Sequence, residues 1–481
     1  MRWRSRWSQG GSGRVRVTSR NKTTLLIGAL WVAELTGSFE SAMILAALKK
    51  LIEEFGDPAM VGWLITGYLI VGAAIAAVVG RLGDLFGRRQ TLVVVLAIGA
   101  IGSLISALSD NFGVLLAGRL MQGVTGAILP LCIGLVHENL GKDRAPMAIG
   151  LMISGASIGT AAGLIVGGMI VDQFNWHGIF FASAGLCVVA GLATLGFVPK
   201  SLRQLAGPAV DWVSGLAFAP GVALVLIYFS TGKNWGWTSS WSLAALVVGV
   251  ALIGWWLYRS LTSANPLIAV RSFGNRTIAV GGAVTALVSM STLQISVFFS
   301  LLLQAPIWTI AGLGLTATMA GLAKLPSNIA STFAGPLGGW LAGRGGGRNA
   351  LVIGGLITTT GWLLVLFDAS SFTIVVAELV IISFGATMLF SVAPTIIAQA
   401  SPPGRISEIS GMLTVIRQLF LGIGAQMVAT LLAVDVVTQG SETYPSPFAY
   451  QLTIMVIIGL CILAILVAFA LPKNLKSKEA A

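Results

Sequence analysis

Long apolar runs, broken at short intervals by small polar clusters, fill the chain from residue 24 to residue 471. A bilayer core takes roughly 20 apolar residues per helix, and about fourteen runs reach that length. They lie at 24–48, 60–80, 90–108, 112–136, 146–171, 178–198, 212–231, 241–261, 277–303, 316–340, 349–367, 371–397, 406–434 and 451–471. The pattern predicts an all-α polytopic membrane protein with both termini on one side.

The positions of the charges test that count. Of the 29 Lys and Arg, only Lys49, Lys50 and Lys233 fall on the side away from the termini, and Arg119, Lys324 and Arg417 lie inside spans; all the others fall on the side of the termini. Such asymmetry puts both termini in the cytoplasm of a multi-pass protein of the cell membrane, and it would blur if one span had been split or merged.

Composition agrees with this picture. The 481 residues are 56% hydrophobic and only 10% charged, with a mean hydropathy of +0.90, so no large aqueous domain remains. A net charge of +12 would suggest nucleic acid as partner of a soluble protein. Here the basic residues sit in short loops beside apolar runs, so they report topology and the partner is the lipid bilayer. Cys132, Cys187 and Cys461 all fall in apolar runs without metal-ligand spacing and read as small buried hydrophobes. Residues 1–22 carry basic and no acidic side chains and read as a cytoplasmic tail, because the apolar run after them is too long for a cleaved signal peptide.

The order of the segments contains a repeat. "GRLGDLFGRRQTL" follows the second span, and "GPLGGWLAGRGGGRNAL" (335–351) follows the tenth with similar Gly and Arg spacing. Parallel halves bring equivalent loops to one face. The expected organisation is a basic tail (1–22), a six-helix bundle (23–200), two additional helices (201–264), a second six-helix bundle (265–472) and a tail (473–481).

The first of those loops joins two closely packed helices. Gly80, Gly83 and Gly87 let backbones approach and permit turn geometry. Asp84 can pair with Arg88 or Arg81, or sit at the positive N-terminal end of a neighbouring helix. Such a cluster can latch one conformation until its pairings exchange. Arg81 and Arg89 by themselves read as positive-inside anchors. In the fifth span Gly155, Gly159, Gly163 and Gly167 recur every fourth residue, a smooth ridge for close packing or for a sliding seam.

The residues "GRLGDLFGRR" (80–89) resemble the signature loop of the major facilitator superfamily. Further stretches resemble its fourteen-helix drug:proton antiporter branch: "VGWLITGYLI" with Trp63 and Tyr68, "GRLMQGVTGAILP" with Arg119, Gln122 and Gly123, "NWHGIFF" (175–181), "NPLIAVRSFGNRT" (265–277) and "SGMLTVIRQLFLGIGA" (410–425) with Arg417. The resemblance covers nearly the whole chain. It implies the major facilitator fold, two six-helix bundles plus two helices between them, and alternating access about a central cavity. It also implies that Asp84 and its arginines hold the outward-facing state and that Arg119 serves proton coupling. In the antiporter motif of the fifth span, Gly159, Gly163, Gly167 and Gly168 are kept, but Leu164 stands where the family usually has proline. Gly343 stands in the second loop where an acidic residue is often found.

Ionisable side chains inside the spans are the sharpest functional clue, since an ionised group at the bilayer centre costs about 2.5–3.5 kcal/mol and usually pairs or borders water. They are Glu34, Glu40, Arg119, Lys324, Glu378 and Arg417. Glu40, in "ESAMILAAL", occupies the place of a helix-1 aspartate of the exporter motif. A carboxyl group in a low-dielectric cavity can take up and release a proton near neutral pH. Glu40 therefore reads as a coupling or substrate carboxylate, against a structural ion pair. Six helical residues turn Glu34 roughly 120° away from it, so the two need not share a site. Lys324 either neutralises a carboxylate or attracts an anion, and Glu378 is a further proton or cation candidate. His137 and His177 read as interfacial hydrogen-bonding residues. Trp31, Phe39, Trp63, Tyr68, Gln122, Met290, Phe298 and Phe299 are candidates to line a pocket for flat lipophilic compounds.

Enzyme readings find no support: no HExxH or GxxxxGK[ST] pattern occurs. With no cofactor and no nucleotide-binding domain, the proton gradient supplies the energy. The expectation is proton-coupled efflux of amphipathic, cationic small molecules by a monomer. The alternatives are transport of organic anions using Lys324, Arg119 and Arg417, and a receptor or scaffold that moves nothing.

Overall fold

The computed structural model describes residues 20–472, apart from 57, 141–143, 202–211, 264–265, 269, 310–311, 316, 370 and 440–441. The two expected tails therefore lie almost wholly outside the described residues.

Fourteen spans account for the described helices. The first three are α1 (Arg20–Phe55), α2 (Pro58–Phe86) and α3 (Arg88–Ala107). The fourth is α4 (Phe112–Gln122) continued through a 3-10 turn, Gly123–Ala127, into α5 (Ile128–Asn139). α6 (Ala145–Gln173), α7 (His177–Phe197), α8 (Trp212–Trp235) and α9 (Ser240–Thr262) follow. The ninth span is α10 (Arg276–Met290) and α11 (Ile295–Gln304), and the tenth is α12 (Ala317–Leu322) and α13 (Leu325–Leu341). α14 (Gly347–Phe367), α15 (Phe372–Ala400), α16 (Ile406–Leu432) and α17 (Pro447–Ala468) complete the set. Polar caps mark several starts: Asn111 accepts the Gly113 and Val114 N–H groups at 2.9 and 3.2 Å, and Ser371 accepts that of Ile374.

Three spans expected to be continuous are broken. In the fourth, Gly72 of α2 crosses the chain at Gly123 and Gly126, and a Cβ on Gly126 would stand 2.6 Å from the Gly72 Cα. Backbones this close leave room only for glycine, and the 3-10 turn brings Thr125 inward. The ninth span breaks at Ser291–Gln294 and the tenth before Leu325–Pro326, where the proline cannot donate to the preceding turn. A β-hairpin, β1 (Val436–Gln439) with β2 (Glu442–Pro445), joins α16 to α17 with Val436 opposite Pro445. Its short, polar alternation was hidden between two apolar runs.

Two bundles each hold their own core. One packs Leu30, Leu96, Ile133 and Ile149 of the first six spans, and the other packs Val284, Leu351, Leu389 and Ile396 of the last six. The end that carries the Gly80–Arg89 loop and the connections near 140, 343 and 403 is called the basic end here, and the opposite one the outer end.

The bundles meet along two seams, and both are shut at the basic end. In one, α2 lies on α16: a Cβ on Gly411 would stand 2.6 Å from the Ala77 Cα, and one on Gly80 would strike the Ser407 carbonyl. In the other, α6 lies on α13: a Cβ on Gly335 would stand 2.6 Å from the Gly150 carbonyl oxygen, and Ser154 donates to the Thr332 carbonyl at 2.7 Å. Toward the outer end the α6 face that touches α13 comes free, with Leu164 41% exposed and open space around Gly168. The two halves are thus closed against each other at the basic end.

Candidate functional site: a latch between the halves and a caged carboxylate

At the basic end Asp84 reaches across the seam. Its carboxylate accepts the backbone N–H groups of Ser407 and Glu408 at 3.3 and 2.9 Å, in the first turn of α16. It thereby satisfies donors that a helix start leaves open, where the dipole favours negative charge. Arg88 closes the arrangement from the same side. Its Nη2 lies 2.7 Å from Asp84, its Nε donates to Ser407 Oγ at 3.0 Å, and its Nη1 reaches Gly134 O and Glu138. Gly87, at φ 107°, makes the turn that sets Arg88 beneath Asp84, a conformation few other residues adopt.

Arg81 also joins this cluster, which corrects its reading as a plain anchor. It donates to Gly404 O at 3.0 Å and lies 3.5 Å from Glu408, which is itself buried and held by Arg405 at 3.0 Å. Arg89 points elsewhere, to the closing carbonyls of α7 at Thr194 and Leu195, and its N–H donates to Ser201 Oγ at 3.0 Å. Gly83 packs on Leu131.

Among the described residues the second seam carries no such ion pair. Where Asp84 has its counterpart stands Gly343, and the α6 start it faces carries Pro146, whose ring is 3.1 Å from a Cβ built on Gly343. Proline has no N–H to offer, so acceptor and donor are missing together. This seam is held by backbone contact through Gly150, Gly335 and Gly339. A Gly335→Val variant is expected to keep the basic end from shutting and to slow transport roughly tenfold, within the 1–3 kcal/mol that overpacking costs; unchanged transport rates in reconstituted protein would refute this.

Glu40 lies inside the first bundle with no exposed surface. Ser183 Oγ and Cys187 Sγ donate to Oε1 at 2.6 and 3.3 Å, Ser103 Oγ donates to the same oxygen at 3.2 Å, and Thr125 Oγ1 donates to Oε2 at 2.8 Å. Four donors from α3, the 3-10 turn and α7 surround one carboxylate. Hydroxyls can also accept, so the same cage suits a protonated Glu40.

Arg119 is equally buried and makes no side-chain ion pair with Glu40. Its Nη1 donates to Gln122 Oε1 at 2.7 Å, Gln122 Nε2 donates to Ser103 Oγ at 2.5 Å, and Ser103 is the residue that touches Glu40. Its other bonds run to backbone carbonyls, Leu64 O at 3.0 Å and Glu40 O at 3.3 Å. The guanidinium lies 4.4 Å from the centre of the Tyr68 ring, and the Tyr68 hydroxyl bonds Gly37 O and Thr125 Oγ1 at 3.1 Å each. One Arg119 nitrogen, Nη2, finds no hydrogen-bond partner among the described residues. Charge at Glu40 is therefore relayed to Arg119 through two neutral side chains.

The other embedded charges lie apart from this cage. Glu34 of α1 has Arg417 of α16, in the opposite half, as its opposite charge, and Arg417 rests 4.9 Å from the Phe390 ring. Lys324 is half-buried and donates to Ser296 O at 3.3 Å, with no carboxylate within ion-pair distance among the described residues. Glu378 is buried near the outer end of α15, close to the charge of Asp368, with Oε2 unpartnered. The six embedded charges thus fall in four places: Glu40 with Arg119, Glu34 with Arg417, Lys324, and Glu378.

Several pocket candidates sit in dry contacts instead. Phe298 and Phe299 are fully buried against Trp362, and Phe298 also against Tyr450, because the break before α11 turns them into the second bundle's core. Phe39 packs with Met43 inside the first bundle. Trp63 packs against Trp235 of α8, with ring centres 6.0 Å apart and planes tilted by 37°. Trp31 lies against Gly155, and Met290 backs onto Gly424. The glycine ridge of α6 (155, 159, 163, 167) packs on α1 in its own half, so it is not the seam between halves. His177 bonds Asp110 at 3.1 Å, and His137 is part of the basic-end turn of α5. Sequence reasoning missed Ser103, Thr125 and Ser183, and it took Cys187 for a plain hydrophobe. Single hydroxyls and thiols within apolar helices carry no spacing that marks them.

A sequence profile of the Major Facilitator Superfamily matches residues 30–211, the half that holds both the latch loop and the cage. The chain is 27% identical to the lincomycin resistance protein LmrB of Listeria monocytogenes, over 87% of each chain. It is 25% identical to the tetracenomycin C resistance and export protein of Streptomyces glaucescens, over 85% of this chain and 76% of that one. It is 27% identical to the multidrug transporter protein MdtP of Bacillus subtilis, over 86% and 75%. Among solved structures, the human organic anion transporter MFSD10 superposes with a TM-score of 0.63 at 15% identity, over 92% of this chain and 99% of that one. The proton:xylose symporter XylE superposes with a TM-score of 0.64 at 13% identity, over 93% and 95%. These two share the fold.

Proposed function

We propose that this protein is an efflux transporter that exchanges protons for amphipathic small molecules by alternating access, with its basic end in the cytoplasm and both termini there. The observation that carries the reading is the Asp84 clamp on the first turn of α16. It closes the basic end across the boundary between halves, and it would have to release for the opposite end to close. The resistance and export functions named for LmrB, the tetracenomycin exporter and MdtP support efflux as the direction.

The cage supports protons as the counter-substrate. An ionised Glu40 offsets Arg119 through Gln122 and Ser103; once Glu40 is protonated, the buried guanidinium is left without its counter-charge. A buried charge losing its compensation destabilises the packing around it by about 3–5 kcal/mol, enough to shift a two-state equilibrium of halves. Asp84 and Arg88 are the groups that such a shift would unclasp. With Glu40 enclosed, substrate charge meets the Glu34–Arg417 boundary instead, and a cation competes there with Arg417 for Glu34. Proteoliposomes loaded with a lipophilic cation should empty it when an opposing proton gradient is imposed, and gradient-independent movement would refute the coupling.

A second reading has one observation in its favour. Lys324 brings a positive charge to the half-buried middle of the molecule without a carboxylate beside it, which suits an anionic group. Counterflow with matched anionic and cationic tracers separates the two: exchange of the anion alone would replace the cationic reading.

A further inference from the structure

We infer that Tyr68 and Thr125 form the relay by which a proton reaches Glu40, and that the proton settles on Oε2, the oxygen that meets Thr125. This deepens the proton-exchange reading above and rests on it, by naming the side chains that load and unload the coupling carboxyl group.

The two oxygens of Glu40 are not equivalent. Oε1 accepts from Ser183 at 2.6 Å, Ser103 at 3.2 Å and Cys187 at 3.3 Å. Oε2 accepts from Thr125 Oγ1 at 2.8 Å. A neutral carboxylic acid has one oxygen that only accepts and one that also donates. The donors around Oε1 suit it to the accepting role in both protonation states. Oε2 can turn donor because Thr125 can release it: the Thr125 hydroxyl has a second acceptor, Gln122 O, also at 2.8 Å.

The same choice recurs one residue further out. The Tyr68 hydroxyl lies 3.1 Å from Thr125 Oγ1 and 3.1 Å from Gly37 O. With Glu40 ionised, Tyr68 donates to Thr125 and Thr125 donates to Oε2. With Glu40 protonated, Oε2 donates to Thr125, Thr125 turns to Gln122 O and Tyr68 turns to Gly37 O. Each hydroxyl keeps an acceptor in either state, so the switch takes only rotation of O–H bonds. The transfer balances: a proton arriving at the Tyr68 oxygen sends the Tyr68 hydroxyl proton to Thr125, which passes its own to Oε2. Unloading runs the same steps in reverse.

Burial points the same way. Exposure rises from 0% at Glu40 through 2% at Thr125 to 5% at Tyr68, whereas Ser103 and Ser183 on the Oε1 side have none. Gly37, whose carbonyl Tyr68 holds, is partly exposed. The charged and titratable groups that face Glu40 are Arg119 of α4, Tyr68 of α2 and Cys187 of α7. Arg119 cannot give up a proton. Cys187 sits on the Oε1 side, at the longest of the cage distances. Tyr68, a pocket candidate by sequence, is thereby placed on the proton path.

The test is time-resolved infrared spectroscopy of the full chain in detergent after a light-released proton pulse, with no gradient and no cargo. The C=O band of protonated Glu40 is the one that Glu40→Gln lacks. It should rise roughly a hundredfold more slowly in Thr125→Val, the low end of what a positioned proton-transfer group supplies, and recover in Thr125→Ser. Tyr68→Phe should slow it likewise, and it carries the test alone if Thr125→Val does not fold. Ser183→Ala should stay within a few-fold of wild-type speed yet raise the C=O frequency, since it strips a bond from Oε1, and Thr125→Val should raise that frequency much less. Wild-type speed in Thr125→Val or Tyr68→Phe, a Thr125→Ser variant as slow as Thr125→Val, or a frequency rise in Thr125→Val as large as in Ser183→Ala would overturn the relay; so would a wild-type chain with no Glu40 band at any pH. Relay-dependent protonation in a chain that shows no proton-driven efflux would leave the relay standing and remove the exchange reading, so the two fail separately.

Discussion

Asp84→Asn abolishes most transport while leaving a folded, membrane-inserted protein: that is the expected result for the clamp at the basic end. The wild-type carboxylate accepts from two backbone N–H groups of α16 and carries the charge that Arg88 requires. An asparagine can accept through one oxygen only, and its amide would point a donor at either Arg88 or the helix start. Both are already donors, and the buried Arg88 loses its nearer charge partner and keeps Glu138, at 3.4 Å. Removing one member of a buried pair costs about 3–5 kcal/mol. That cost falls on the closed basic end alone, since Asp84 touches α16 only there. Distances between spin labels placed near the basic ends of α2 and α16 should lengthen and broaden in the variant, and transport should fall by roughly a hundredfold, the factor that about 3 kcal/mol corresponds to. Unchanged distances with full transport would show that the clamp is ornamental. Arg88→Lys should be intermediate, because an ammonium can keep the charge without reaching Asp84, Ser407 and Gly134 at once.

Glu40→Gln is expected to separate substrate binding from proton exchange. The four donors around Glu40 come from Ser103, Thr125, Ser183 and Cys187, and a glutamine matches the neutral, protonated state in size and shape. Its amide group places donors where hydroxyls also donate, but the hydroxyls can rotate to accept. The variant should fold, should bind lipophilic cations, and should exchange cargo for cargo while losing accumulation against a proton gradient. Ser183→Ala is the milder companion. It removes the shortest bond to the carboxylate and should reduce proton-driven rates several-fold while retaining coupling. Accumulation by Glu40→Gln at the wild-type level would move the proton site elsewhere, with Glu34 as the next carboxylate to replace.

Much of the architecture is legible in the sequence because apolar runs of bilayer length and the bias of Lys and Arg are summed over many residues. The loop at 80–89 is legible for a different reason: four charges and three glycines in ten residues have few explanations within a greasy chain. What the sequence conceals is reach. Asp84 and Ser407 are brought together only when the halves dock, and nothing near either residue announces the other. Glu40 was visible as a charge in an apolar run, yet its partners are single hydroxyls and a thiol scattered over three helices, indistinguishable from tolerated small residues. The 3-10 turn that presents Thr125 depends on Gly72 of a neighbouring helix pressing on Gly123 and Gly126. The aromatic candidates Phe298 and Phe299 were misplaced because a helix break rotates everything after it, and a helical wheel carried through Ser291–Gln294 points them the wrong way. Gly343 reads as a mere departure from pattern until Pro146 is seen opposite it, where the pair explains why one seam latches and the other only touches.

The most direct test of the account is proton movement in everted membrane vesicles that hold a preformed pH gradient. Adding a lipophilic cation should partly collapse that gradient with the wild-type chain and leave it intact with Glu40→Gln at equal expression. Substrate-driven collapse that persists in Glu40→Gln, or a wild-type chain that moves the cation without moving any proton, would contradict the exchange mechanism proposed for this protein.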